Sequence, residues 1–283
     1  MKKFLLSSWL KIMGIAAASG IAYENNQLIL VSDTGNALYH YFIENDSLSV
    51  HSLDNKPIEH HQHKDHKYDL EALTIVDNTW YAFGSGSKPN RNTAFYFNKF
   101  SKYSTPMDLT DLYDEMKVFS ELSEQDFNIE AALHHNDNWY FLNRGNGPEN
   151  ANYLFVIQGR NFTDDFNIYY FKFDLPPIND VSSGFSAATL HNNTLFFLAT
   201  AEDEESTYDD GEIKGSMIGA IDLKKMKLLF TEKISDTHKF EGLTIVEQDK
   251  KKITFALCED ADDATNTESV VYKLEVELKS RVK

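Results

Sequence analysis

Residues 70–85 read LEALTIVDNTWYAFGS, and the same layout returns four more times along the chain. An acid or hydroxyl residue is followed by a small residue, a short strand-like run, a polar turn and a second run rich in apolar and aromatic residues. The other copies are ASGIAYENNQLILVSD from Ala18, IEAALHHNDNWYFLNR from Ile129, FSAATLHNNTLFFLAT from Phe185 and FEGLTIVEQDKKKITFALCE from Phe240. Turns such as NNQ, DNT, NDN and NNT suit tight hairpins, because Asn and Asp tolerate left-handed backbone angles. Aligned on Ser or Glu at positions 19, 71, 130, 186 and 241, the copies stand 52, 59, 56 and 55 residues apart. That spacing is close to the period of a four-stranded propeller blade.

Each hairpin is followed by a third alternating run: ALYHYFIE from Ala37, TAFYFNKF from Thr93, ANYLFVIQ from Ala151, SMIGAIDL from Ser216 and SVVYKLEV from Ser269. A fourth run follows in four units, as SLSVHSL from Ser47, MDLTDLYDEM from Met107, FNIYYFKFDL from Phe166 and KLLFTEKI from Lys227. The fifth unit runs out of chain, while a spare strand, KKFLLSSWL from Lys2, stands at the other end. The expectation is an all-β, five-bladed β-propeller with four antiparallel strands per blade. It forms one domain over residues 1–283, with blades beginning near 18, 70, 129, 185 and 240 and residues 1–12 closing the last blade. The alternative is a β-sandwich or two small β domains, which would not explain a fivefold register with a complementary terminal strand.

The N-terminus also mimics a secretory signal, with two lysines, an apolar stretch and Ala16-Ala17-Ala18. Lys11 interrupts that stretch, and cleavage after Ala18 would leave a blade unclosed with unpaired sheet edges. We therefore expect a retained N-terminus and a cytoplasmic protein, with a periplasmic location the alternative. The lone Cys258 makes no internal disulfide and marks no oxidising compartment. A net charge of -17 argues against nucleic-acid or anionic-membrane partners, and no apolar run approaches the roughly 18 residues needed to span a bilayer.

The first strand of each propeller blade lines the central channel, so Ser19, Glu71, Glu130, Ser186 and Glu241 converge on the axis. Two carboxylates about 5 Å apart repel by roughly 3 kcal/mol at an effective dielectric near 20. Protonation or a bound cation would relieve the crowding. An oxygen-only ring suits Ca²⁺ rather than Zn²⁺, which prefers nitrogen and sulfur. The plain alternative is a set of residues hydrogen-bonding across a water-filled channel.

The order Ser, Glu, Glu, Ser, Glu over five blades resembles the central calcium site of the calcium-activated nucleotidases, or apyrases. The SGI, EAL, EAA and EGL motifs also resemble an uncharacterised bacterial propeller family. The resemblance covers the blade layout through a few short motifs. It implies a calcium-centred propeller, and more weakly a hydrolase of phosphoanhydrides or phosphoesters, since propellers host many functions.

The loops joining second to third strands open on the same face as the starts of the channel strands. There Lys88, Arg91 and Arg144, among glycines and serines, form a basic sector suited to phosphate or carboxylate. Asp33 and Asp69 are candidate general bases, with calcium polarising the substrate. Beside them lie Glu202, Asp203, Glu204, Glu205, Asp209, Asp210, Asp260, Asp262 and Asp263, which read as solvated acidic loops. Two readings stay open: a calcium-dependent hydrolase of an anionic small molecule, and a non-catalytic propeller with structural calcium whose rim binds a protein or carbohydrate. In the second, Arg91 and Arg144 merely pair with neighbouring acids. His60, His61, His63 and His66 have no repeat counterpart and read as a solvated loop rather than a metal site. There is no P-loop ending after GSGSKPN and no nucleophile elbow.

Overall fold

In a computed structural model of the chain, which describes residues 4–159, 162, 166–203, 211–260 and 267–277, the repeat becomes five four-stranded antiparallel sheets. Strands are numbered in chain order. Blade one is β2 (Ala18–Glu24), β3 (Gln27–Ser32), β4 (Ala37–Phe42) and β5 (Ser47–Ser52); blade two is β6 (Leu70–Val76), β7 (Thr79–Gly84), β8 (Thr93–Asn98) and β9 (Tyr103–Asp108). Blade three is β10 (Ile129–His135), β11 (Asn138–Asn143), β12 (Tyr153–Gln158) and β13 (Asn167–Lys172). Blade four is β14 (Gly184–His191), β15 (Thr194–Asp203), β16 (Glu212–Asp222) and β17 (Lys227–Ser235). Blade five joins β18 (Phe240–Gln248), β19 (Lys252–Glu259) and β20 (Glu268–Glu277) to the N-terminal β1 (Phe4–Met13), which pairs antiparallel with β20. The terminal strand thus completes the last blade as the repeat count requires; Lys2 and Lys3 lie outside the described residues.

The hairpin turns follow from their residue types. Asn25, Asn26, Asp77, Asn136, Asp137 and Asn192 all adopt positive φ, between 50° and 60°, a region that Asn and Asp enter more readily than other side chains. In the longer turn between β18 and β19, Asp249 accepts hydrogen bonds from the backbone N–H groups of Lys251 and Lys252.

The apolar residues of one blade face those of the next. Five hydrophobic clusters result, one at each junction between neighbouring blades. Between blades two and three, Phe83 meets Trp139 and Phe141 edge to face. Between blades five and one, Ile12, Cys258 and Val271 pack with Leu28, Leu30 and Tyr39. The innermost strands touch in the cyclic order β2, β6, β10, β14, β18 and back to β2. Each fully buried Phe adds roughly 2–3 kcal/mol to these junctions.

One sequence expectation needs correction. The fourth strand of blade two is Tyr103–Asp108, and most of MDLTDLYDEM instead forms helix α1 (Thr110–Ser120). Leu109, Leu112, Tyr113 and Met116 recur at helical spacing and are buried. Just ahead of the helix, Asp108 accepts from the Thr110 N–H at 2.9 Å, a local side-chain turn of the kind Asp favours, while the N-cap residue, Leu109, makes no side-chain cap bond. Pro106 fits in β9 because that strand is the outermost of its blade, where a missing N–H costs no ladder bond.

Candidate metal centre at the propeller axis

One backbone device aims the axial residues. In every blade the pairing between first and second strands skips one residue: Ser19, Glu71, Glu130, Ser186 and Glu241. Each is the extra residue of a β-bulge, which re-aims a side chain without breaking the sheet. The small residue that follows has a separate cause. A Cβ on Gly20 would come within 3.2 Å of the Leu73 Cβ, and one on Gly242 within 2.8 Å of the Ile21 Cγ2. Neighbouring innermost strands therefore approach too closely at these two positions for a Cβ, while Ala72, Ala131 and Ala187 hold the equivalent places in the other blades.

The five residues are not equivalent. Ser19 donates its hydroxyl to the Leu70 carbonyl, and Ser186 donates to the Phe240 carbonyl at 2.7 Å. Each serine thereby staples its blade to the next and retains only lone pairs for another partner. Glu71, Glu130 and Glu241 line the shaft together with Ser19.

A second tier lies just above this ring. On each second strand, the residue one past the partner of the residue before the bulge is Asp33, Ser85, Arg144, Thr200 or Asp260, one per blade; in blade four Thr200 is still paired, with Gly184, inside the longer β15. Two lysines and an arginine reach into the same space. Lys67 Nζ lies 2.6 Å from both Asp33 Oδ2 and Asp69 Oδ1, and Arg91 Nη1 lies 2.7 Å from Asp69 Oδ2. Arg144 contacts Glu130 and Glu241 at 3.4 Å and Glu202 at 3.1 Å. Lys239 lies 3.2 Å from Glu202, 3.3 Å from Glu241 and 3.3 Å from Asp260.

Among the described residues the centre holds seven carboxylates, Asp33, Asp69, Glu71, Glu130, Glu202, Glu241 and Asp260, against four cations, Lys67, Arg91, Arg144 and Lys239. The shortfall is concentrated at Glu71, whose carboxylate makes no hydrogen bond or ion pair among the described residues and interacts with Lys67 only through the longer-range field. Carboxylate oxygens of Asp33, Asp69 and Glu71 all lie within 4.8 Å of one another. Glu130 Oε2 and Asp33 Oδ1 are buried without a hydrogen-bond partner.

The titration behaviour follows that imbalance. Burial pushes Glu71 well above the carboxylate range, and Glu130, Asp69, Glu241 and Asp33 push the same way. Burial likewise lifts Glu241, against the pull of Lys239, and Asp33, against the pull of Lys67. Glu130 is raised to about 7 by burial, with Arg144 and Lys239 opposing. At Asp69 burial also acts upward, but Lys67 and Arg91 outweigh it and hold the carboxyl below its usual value.

The structure distributes the other residues expected to act here as follows. Asp33 and Asp69 stand beside Glu71, each already bonded to Lys67. Arg91 and Arg144 are internal counter-charges, and Lys88 is exposed on the rim. Glu202 and Asp260 are inner members of the ion-pair network rather than solvated loop residues, while Asp203 is exposed. Glu204, Glu205, Asp209, Asp210, Asp262 and Asp263 lie outside the described residues. His60, His61, His63 and His66 are exposed and do not converge; His60 Nδ1 lies 2.8 Å from the Tyr39 hydroxyl. Sequence reasoning missed Lys67 and Lys239, although their places, four residues before Glu71 and two before Glu241, tie both to the repeat register.

These features define a five-bladed β-propeller with an acidic centre on its axis. The chain belongs to a family of unknown function, DUF6929, whose model matches residues 14–276. No curated protein matches it in sequence. Among solved structures it is similar to glutaminyl cyclase from Myxococcus xanthus, with 10% identity, 96% of this chain and 97% of that one covered, and a TM-score of 0.52. It is similar also to the Malassezia sympodialis allergen Mala s 1, with 12% identity, 93% and 95% coverage and a TM-score of 0.54. A third is the PQQ-bound aldose sugar dehydrogenase from Streptomyces coelicolor, with 11% identity, 97% and 99% coverage and a TM-score of 0.53. At such identities the likeness is one of fold, and chemistry has to be argued from the site.

Proposed function

We propose that this protein is a calcium-centred propeller in which the ion sits among Glu71, Glu130 and Glu241, with Asp33 and Asp69 adjoining, and pins the five blades at their axis. The observation that carries this reading is the unpaired carboxylate of Glu71 amid four other acids. A hard divalent cation surrounded by six to eight oxygens would offset that charge, and the oxygen-only donor set disfavours Zn²⁺. The likeness of the ring order to the calcium site of the calcium-activated nucleotidases supports the same ion. In this reading Ser19 and Ser186 hold blades together and offer lone pairs at the periphery, and the rim face is left to bind a protein or carbohydrate.

A second reading, a calcium-dependent hydrolase of a phosphorylated or other anionic small molecule, has one observation in its favour: Asp33 keeps a buried, unpartnered oxygen beside Glu71. It requires Arg91 and Arg144 to leave the acids they now neutralise, with Lys88 as the exposed cation of the three. The structural reading is therefore preferred. Calcium titration by calorimetry, paired with thermal unfolding in calcium and in EDTA, tests it. Saturable binding near one ion per chain and a melting temperature raised by calcium are expected; a curve indifferent to EDTA sinks the proposal. Turnover of nucleotides, phosphoesters or lactones that EDTA abolishes would move the preference to the hydrolase.

A further inference from the structure

Blade four departs from its neighbours above the axial centre. The second and third strands of blades one to three have six residues each and those of blade five eight and ten, whereas β15 has ten and β16 eleven; only in blade four do the described strands pair on past the level of the axial bulge. The added rows pair Ala201 with Gly215, Glu202 with Ile213 and Asp203 with Glu212. Lys214 is skipped in that pairing, so a bulge marks the base of the extension, and Gly215 beside it has φ of 122°, a region that L side chains seldom occupy.

This extension lays Glu202 across two cations from other blades. Its Oε1 accepts from Arg144 Nη2 at 3.1 Å and lies 3.2 Å from Lys239 Nζ, and all three side chains are at most 10% exposed. Charge balance does not require it. Arg144 already has Glu130 and Glu241, and Lys239 already has Glu241 and Asp260. Nor does the repeat supply it, since Glu202 belongs to neither axial tier. What it does occupy is a slot where donors from blades three and five converge on a single carboxylate oxygen.

We propose that Arg144 and Lys239 form a binding site for the carboxylate of a small organic acid, and that Glu202 fills it from within until such a ligand takes its place. The exchange replaces one carboxylate by another, so the charge of the centre is unchanged and the main cost is opening the β15–β16 extension at its bulge. The slot is defined without reference to calcium, and the inference goes beyond the calcium reading.

Succinate is the probe, with succinamide as its neutral counterpart, each titrated into wild type and Glu202→Gln by calorimetry with and without calcium. Removing the internal competitor raises succinate affinity by about tenfold or more, succinamide binds neither protein, and Lys239→Met added to Glu202→Gln abolishes binding. In wild type, saturating succinate speeds hydrogen exchange at residues 201–203 and 213–215. Equal succinate affinity in wild type and Glu202→Gln, no binding by either, or unchanged exchange in the saturated wild type overturns the proposal. Should Glu202→Gln fail to fold, the exchange measurement decides alone. A melting temperature that ignores calcium would refute the calcium reading and leave this one standing.

Discussion

Glu71 and Arg144 mark the two extremes of the axial centre, a carboxylate with no partner and a guanidinium with three. Replacing Glu71 by Gln removes a carboxyl that must either stay charged among other acids or take up a proton to avoid it. In EDTA the variant is expected to be more stable than wild type, by roughly 1–3 kcal/mol if one repulsive contact is relieved. In calcium the order reverses, because a ligand has been lost; paired melting curves in the two buffers check both signs. Arg144→Met is expected to do harm in either buffer. It leaves Glu130 with no ion-pair partner among the described residues and Glu202 and Glu241 with Lys239 alone, all in a buried setting, and breaking such a network costs about 3–5 kcal/mol, readable as a lower denaturant midpoint.

At the scale of the element, the five bulges and the small residues after them turn an ordinary hairpin into a spoke. Gly242→Ala tests this directly. The added Cβ has Cys258 and Ile21 in its way, and overpacking of this kind costs about 1–3 kcal/mol; an unchanged melting temperature would show that the innermost strands can spread. The spokes were legible in the sequence because Ser or Glu followed by Gly or Ala recurs at a steady interval, and four of those residues, Ser19, Glu71, Glu130 and Glu241, line one shaft. Helix α1 was not, because the run MDLTDLYDEM alternates well enough to pass for a strand until the burial of Leu112, Tyr113 and Met116 decides between periods. Two partners of the ring, Lys67 and Lys239, were hidden, whereas Arg91 and Arg144 were expected on the rim, as anion binders or as partners of neighbouring acids, and the second is what the structure has. Lys67, Arg91, Arg144 and Lys239 reach the axis from loops and strand ends, and no local pattern tells a cation facing inward from one facing solvent.

For the whole molecule, pH and the proposed calcium would act on the same charges in opposite directions. Glu130 carries a carboxyl raised to about 7 in the folded chain, from an ordinary 4.5, so between those values the folded state holds a proton that the unfolded state has released. In EDTA this group's contribution to stability therefore falls as pH rises through that window, by on the order of 3 kcal/mol in full. His40 and His51, lowered chiefly by burial, work the other way and cost stability as pH falls below about 6.5. The informative quantity is the difference between wild type and Glu130→Gln, which should grow less favourable to wild type from pH 5 to pH 7. Added calcium, which competes with the proton, should shrink that difference most at the alkaline end.

The pairing of β1 with β20 also sets a timetable. Strand β1 leaves the ribosome well before its partner β20, so residues 4–13 wait for residues 268–277. At ordinary synthesis rates that interval is on the order of tens of seconds. Throughout it, blades one to four can assemble while Leu5, Leu6, Trp9 and Leu10 trail as an unclaimed apolar thread. Closure of the ring cannot precede the synthesis of β20, and the newborn chain is most open to capture by chaperones or by a neighbouring copy just before it happens.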